Sequence, residues 1–148
     1  MEFHCTAPVR TSRAQQILFG PTLWPYVLGE QIGGTLVGEA KLRPAIIIAD
    51  HPAPLCLQSQ IEVPMVRLTE AGSRERGAGS GEQNLIVVAG SAFELPPGFD
   101  ADRDVAIELL TLLAQHVELA EPFERIHEAI REAHRLGERS QDIHEQAA

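Results

Sequence analysis

The stretch Pro44-Ala45-Ile46-Ile47-Ile48-Ala49-Asp50-His51-Pro52 decides the fold class. Its continuous β-branched run, closed by an acid, a histidine and a proline, predicts a central strand buried on both faces. A second extended stretch follows at Val63-Pro64-Met65-Val66-Arg67-Leu68, where Pro64 has no amide hydrogen and confines the strand to an edge or to its first residues. Asn84-Leu85-Ile86-Val87-Val88-Ala89 is a third apolar run and predicts a second buried strand. Pro96-Pro97-Gly98 closes the loop after it. Between strands, residues 54–60 have room for one or two helical turns. Residues 69–83 hold Gly72, Gly77, Gly79 and Gly81 among alternating charges, a surface loop within one domain.

The last third of the chain reads as two helices. Asp102 is a candidate N-cap for a helix carrying Val105, Leu109, Leu112, Leu113 and Val117. Glu121-Pro122 restarts a second helix, with Phe123, Ile126, Ile130 and Ala133 on one stripe and Glu124, Arg125, Glu128, Arg131, Glu132 and Arg135 on the other face. The stripe fades past Leu136, so residues 137–148 are either a frayed polar tail or a helix that needs a partner chain. Residues 1–42 are less regular because Pro8, Pro21 and Pro25 interrupt each candidate element. A short strand over 2–5, a helix capped by Ser12 running to Phe19, and a helix over 22–31 are the expectations there. The whole is expected to be one α/β domain spanning 1–148, with a small mixed sheet, helices packed on it and two C-terminal helices.

Composition narrows the function. The chain has 148 residues with 12 Lys+Arg against 21 Asp+Glu, a net charge of −9, and 44% hydrophobic residues. Such a chain buries roughly 70% of its unfolded surface and needs no disulfide staples. The negative balance opposes phosphate backbones and anionic lipid surfaces, so nucleic acid is not an expected partner. No apolar run approaches the roughly 20 residues of a membrane helix, so insertion is not expected either. Glu2 stands where a secretory leader carries bases, which makes the cytoplasm the expected address. Cys5 and Cys56 lack metal or redox spacing and read as reduced thiols.

His51 is the foremost candidate for chemistry. It stands beside Asp50 at the carboxyl end of the leading strand, where open α/β sheets place ligands, and a held imidazole serves as nucleophile or base. The competing interpretation is a histidine that ends a strand and bonds the next loop. Gly33-Gly34-Thr35, with Gly38, could offer backbone amides and a hydroxyl to a phosphate, or form a plain turn before a strand. Cys56, five residues past His51, could pair with it but has no elbow or helix start to activate it. His127 and His134 share a helix face with Glu138, yet residues seven apart sit about 10 Å apart along the axis, too far for one ion. They read as a solvated face. His4, His116 and His144 have no partner that the sequence identifies. No metal or cofactor is called for.

Taken together, residues 33–134 resemble the IIA phosphocarrier domains of the fructose, mannitol and nitrogen-related branch of the bacterial phosphotransferase system. The similarity lies in the Gly33-Gly34-Thr35 and Gly38 turn, the strand Ile46-Ile47-Ile48-Ala49-Asp50-His51, the strand end Val66-Arg67-Leu68, the run Leu85-Ile86-Val87-Val88, and the helical stretches Ile107–Ala114 and Glu121–Ile126. The family's histidine follows proline and precedes a small residue, an order that Asp50-His51-Pro52 inverts. The resemblance implies a phosphoryl group accepted on His51, stabilised by Thr35 and nearby amides, with a phosphocarrier protein or transporter domain as partner. A degenerate member would regulate transport instead. The alternative is a non-catalytic module that oligomerises through its C-terminal helix or binds a small anion at 33–38. A small enzyme pairing His51 with Cys56 is the third.

Overall fold

A computed structural model describes residues 2, 4–69 and 84–145. It contains a mixed four-stranded sheet with helices packed on it, as the apolar runs require. Helix α1 (Arg13–Phe19) starts at a capping box: Ser12 Oγ accepts from the Gln15 amide at 3.2 Å, and Gln15 returns a carboxamide oxygen to the Ser12 amide at 2.8 Å. The chain then stays helical to residue 39, through a 3-10 turn (Gly20–Thr22), the short α2 (Leu23–Pro25), a π-helix (Tyr26–Gly33) and α3 (Gly34–Glu39). Of the strand expected over 2–5, the described residues 2, 4 and 5 form no strand, and Glu2 instead accepts from the Lys41 and Leu42 amides at 3.0 and 3.1 Å.

Strand β1 (Ile47–Ala49) pairs in parallel with β2 (Met65–Thr69), Ile48 opposite Val66. A 3-10 segment (Ala53–Gln60) lies between them. β2 pairs antiparallel with β4 (Ser91–Glu94), which pairs antiparallel with β3 (Leu85–Val88), giving the order β1-β2-β4-β3. Both runs expected to be buried strands therefore lie at sheet edges. β1 is half-buried along its length, and β3 alternates exposed and buried side chains. The interior strands are β2 and β4. Pro64 stands just before β2 and does not force it to the edge: its carbonyl accepts the Ile47 amide at 2.9 Å and opens the parallel ladder.

Successive residues of β2 point to opposite faces, and Met65 and Val66 are both buried, so the sheet is covered on both sides here. On one side Val66, Ile86, Val88, Phe93 and Leu95 pack with Ala106 and Leu110 of α4 (Arg103–Ala114) and with Leu119. On the other side, the π-helix and the 53–60 segment lie against each other at Gly29. A β-carbon there would stand 2.5 Å from the Ala53 carbonyl oxygen and 2.7 Å from Cys56 Sγ, a separation only glycine permits. Gln58 is the buried polar side chain of this layer. It accepts the Met65 amide at 2.6 Å and donates to the Val63 carbonyl at 3.1 Å, stitching the segment to the start of β2.

Asp102 occupies the N-cap of α4 without a side-chain bond to the helix, and Asp104 supplies the acid of the first turn. Helix α5 (Glu121–Glu145) runs unbroken through Gly137 for 25 residues, roughly 37 Å at 1.5 Å per residue, so residues 137–145 continue the helix. The expected 69–83 loop lies, after Thr69, outside the described residues. No helix among them is long and apolar enough to cross a membrane.

Candidate functional site

The carboxyl ends of β1, β2 and β3 lie at one rim of the sheet, because β4 runs against both of its neighbours. Residues Asp50, Thr69, Gly90 and Ser91 stand at that rim, and α5 begins beside it. Together with Phe123, Glu124 and His127 they line an open cleft of about 390 Å³, the size of a small-molecule site. The β3–β4 turn at its edge holds Ala89 at φ 50° and Gly90 at φ 84°. Both positive angles are those of a two-residue turn matched to strand twist, and the alanine occupies one at a strain of roughly 1 kcal/mol.

Asp50 and His127 face each other in this cleft. The His127 Nε2 to Asp50 Oδ2 distance is 2.6 Å, with both side chains about half exposed. An ionised carboxylate only accepts, so Nε2 carries the proton and Nδ1 of the neutral ring keeps the free lone pair. Such a ring is an oriented base. A nucleophile beside it is missing among the described residues: Thr69 Oγ1 donates to the Ala92 carbonyl at 3.0 Å, and no hydrogen bond joins Ser91 to His127. Asp50 and Glu124 also set negative charge in the cleft, which disfavours a phosphoryl dianion. The pair's evident structural effect is to hold the first turns of α5 to the end of β1.

The residues singled out from sequence are dispersed. His51 is exposed and does not line the cleft; its Nδ1 accepts the Ala53 amide at 3.1 Å. The neutral ring then bears its proton on the outward Nε2, so nucleophilic attack by Nε2 requires the other tautomer and loss of that bond. Gly33 and Gly34 are not a turn before a strand. They lie inside helical structure, and the Gly34 amide is directed at the carbonyls of Gly29, Glu30 and Gln31. Thr35 Oγ1 donates to the Gln31 carbonyl at 2.5 Å. The donors expected to greet an anion are thus turned inward, and no hydrogen bond links them to His51. Gly33 serves packing, with Leu57 Cδ1 3.1 Å from where its β-carbon would be.

Partial desolvation where the sulfur meets Gly29, then the charge of Glu30, pushes the thiol of the otherwise exposed Cys56 above its ordinary range, opposite to an activated nucleophile. Among the described residues no cluster of histidines, cysteines and acids could hold a metal ion. Two histidines meet carboxylates: His4 lies 3.2 Å from Glu2, its near neighbour in the chain, and His127, which the sequence places on a solvated face, meets Asp50 across the cleft. Its partner lies 77 residues away, and no local spacing carries that signal.

Past the cleft, α5 leaves the body. Every described side chain from Glu124 to Arg135 is exposed, Ile126 and Ile130 among them at 41% and 36%. The chain matches no protein-family model, and neither a curated protein nor a solved structure matches it.

Proposed function

We propose that this chain is a non-catalytic α/β interaction module that associates with a second copy of itself through α5. The observation that carries this reading is the exposed apolar stripe of a helix that the body holds only by its first turns. Phe123, Ile126, Ile130 and Ala133 recur at alternating spacings of three and four, the pattern of a paired-helix seam. Both signs of charge flank this line: residues 121–135 hold four glutamates against three arginines, so each helix offers acids and bases to the other beside the seam. Phe123 is half-buried at the cleft, and past it Ile126, Ile130 and Ala133 are exposed.

Sedimentation equilibrium of the full chain tests the proposal: a monomer–dimer equilibrium is expected, and a strictly monomeric mass at every loading concentration discards it.

A second reading keeps the family resemblance: a IIA-like carrier accepting a phosphoryl group on His51 from a phosphocarrier protein. The exposed ring at the carboxyl end of β1 favours it. The bond from the Ala53 amide and the inward-turned Gly33-Gly34-Thr35 donors rank it second. Incubation with phosphoenolpyruvate and the general carrier proteins, followed by intact mass, is its test. An acid-labile phosphoryl adduct lost in His51→Ala supports it, and an unmodified mass removes it.

A further inference from the structure

We propose that the N-terminal face of this protein, formed by α1 and α2, seats it on the surface of a lipid bilayer. Helix α1 has no buried residue, and its largest aliphatic side chains are the most exposed large hydrophobic ones among the described residues, Ile17 at 69% and Leu18 at 82%. Trp24 follows at 57%, and the rings of Phe19 and Tyr26 stack 5.0 Å apart beside them. The same segment turns Leu23 and Val27 fully inward, so its orientation on the body is fixed and the outward residues have no place in the core. Aliphatic insertion flanked by tryptophan and tyrosine is the composition of a segment lying in a headgroup layer.

Charge sorts the occupants. No acid occurs between Glu2 and Glu30, and the interval holds Arg10 and Arg13, both exposed. A +2 segment thus interrupts a chain of net −9, whose remaining residues carry −11. Glu2, the nearest acid upstream, is drawn to the Lys41 and Leu42 amides. An arginine-flanked apolar face suits phosphate-bearing headgroups. The acids elsewhere act on the membrane only within a screening length of about 8 Å. Nothing is required to cross the bilayer: the face is a shallow contact.

Trp24 is the only tryptophan, so its emission reports this face directly. The test titrates the full chain with vesicles of phosphatidylcholine and of phosphatidylcholine with phosphatidylglycerol at about three to one. A blue shift of Trp24 emission is expected with both, stronger with the mixture, and quenching by brominated lipid should place the ring at the interface. Leu18→Asp with Ile17→Asp, at positions that support no packing, is expected to abolish the shift. Arg10→Gln with Arg13→Gln is expected to lower partitioning onto the mixed vesicles roughly 25-fold, at about fivefold per arginine, and to leave phosphatidylcholine binding unchanged. An unshifted spectrum with both vesicles overturns the proposal. So does a blue shift that appears without lipid as protein concentration rises, which would assign the face to a second copy. Repeating the titration in the Ile126→Asp/Ile130→Asp background keeps the outcome separate from α5 pairing.

Discussion

Replacing both Ile126 and Ile130 by aspartate isolates the contribution of the α5 stripe. These side chains are 41% and 36% exposed in the single chain. Full burial of an isoleucine stabilises by roughly 1.5–3 kcal/mol, so completing the burial of each in a dimer is worth about 1 kcal/mol. Two residues on each of two helices give about 4 kcal/mol, close to a thousandfold in the dimer dissociation constant. The aspartates add repulsion across the seam, so that figure is a lower bound on the loss. Neither substitution touches the buried core, and circular dichroism should show the body unchanged. Sedimentation equilibrium reads the effect: the wild-type chain dimerises and the double variant stays monomeric over the same range. A variant dissociation constant within tenfold of wild type would show that the stripe does not form the interface.

The remaining expectations concern the body. Gly29→Ala forces a β-carbon to 2.5 Å from the Ala53 carbonyl, where the backbone must yield, and thermal unfolding should report a loss of about 2 kcal/mol. Gln58→Leu strands the buried Met65 amide and is expected to cost about 2 kcal/mol by denaturant titration; a loss under 0.5 kcal/mol would show that water replaces the carboxamide. Arg67 and Glu94 are directly opposed across β2 and β4, 2.7 Å apart and largely buried, and Arg67 Nε already has no partner among the described residues. Glu94→Gln should therefore destabilise by about 1–3 kcal/mol, whereas Arg67→Met with Glu94→Leu should recover most of it. Cys56, its thiol pushed upward, should alkylate more slowly than Cys5 near pH 8, and equal rates would contradict the packing against Gly29.

Periodicity exposed the elements and was silent about their neighbours. The Ile46–Ile48 run gives a strand because β-branched residues suit a pleated, half-buried surface. The same run cannot say whether a second strand lies on its far side. Here the crossover from Ala49 to Met65 returns beside β1, β4 takes the other side of β2, and the expected central strand becomes an edge. β4 itself left no mark. Ser91-Ala92-Phe93-Glu94 places one large apolar residue in four, and the turn before it uses Ala89 where a sequence signal needs asparagine or aspartate. Once paired, Phe93 is fully buried at the centre of the core, so a single side chain does what a run does elsewhere.

The site illustrates the same division between local and distant information. Asp50 was legible because strand ends at a sheet's carboxyl rim are where side chains converge, and it does line the cleft. Its neighbour His51 shares that position in sequence but not in space: the chain turns at Pro52, and the ring folds back onto the Ala53 amide. Gly33 and Gly34 looked like a phosphate turn because glycine marks backbone freedom. The freedom is spent differently, on letting two helical segments touch at Gly29 and Gly33. What distinguishes a cradle from a packing surface is where the amides point, and that depends on whether the flanking residues are helical. The sequence pattern ends a helix at Gln31, yet the Gln31 carbonyl accepts the Thr35 hydroxyl one turn on and the helical path continues. The helical path spends the Gly34 amide on its own carbonyls, and the imidazole that meets Asp50 is His127, on a helix that begins 71 residues further along the chain.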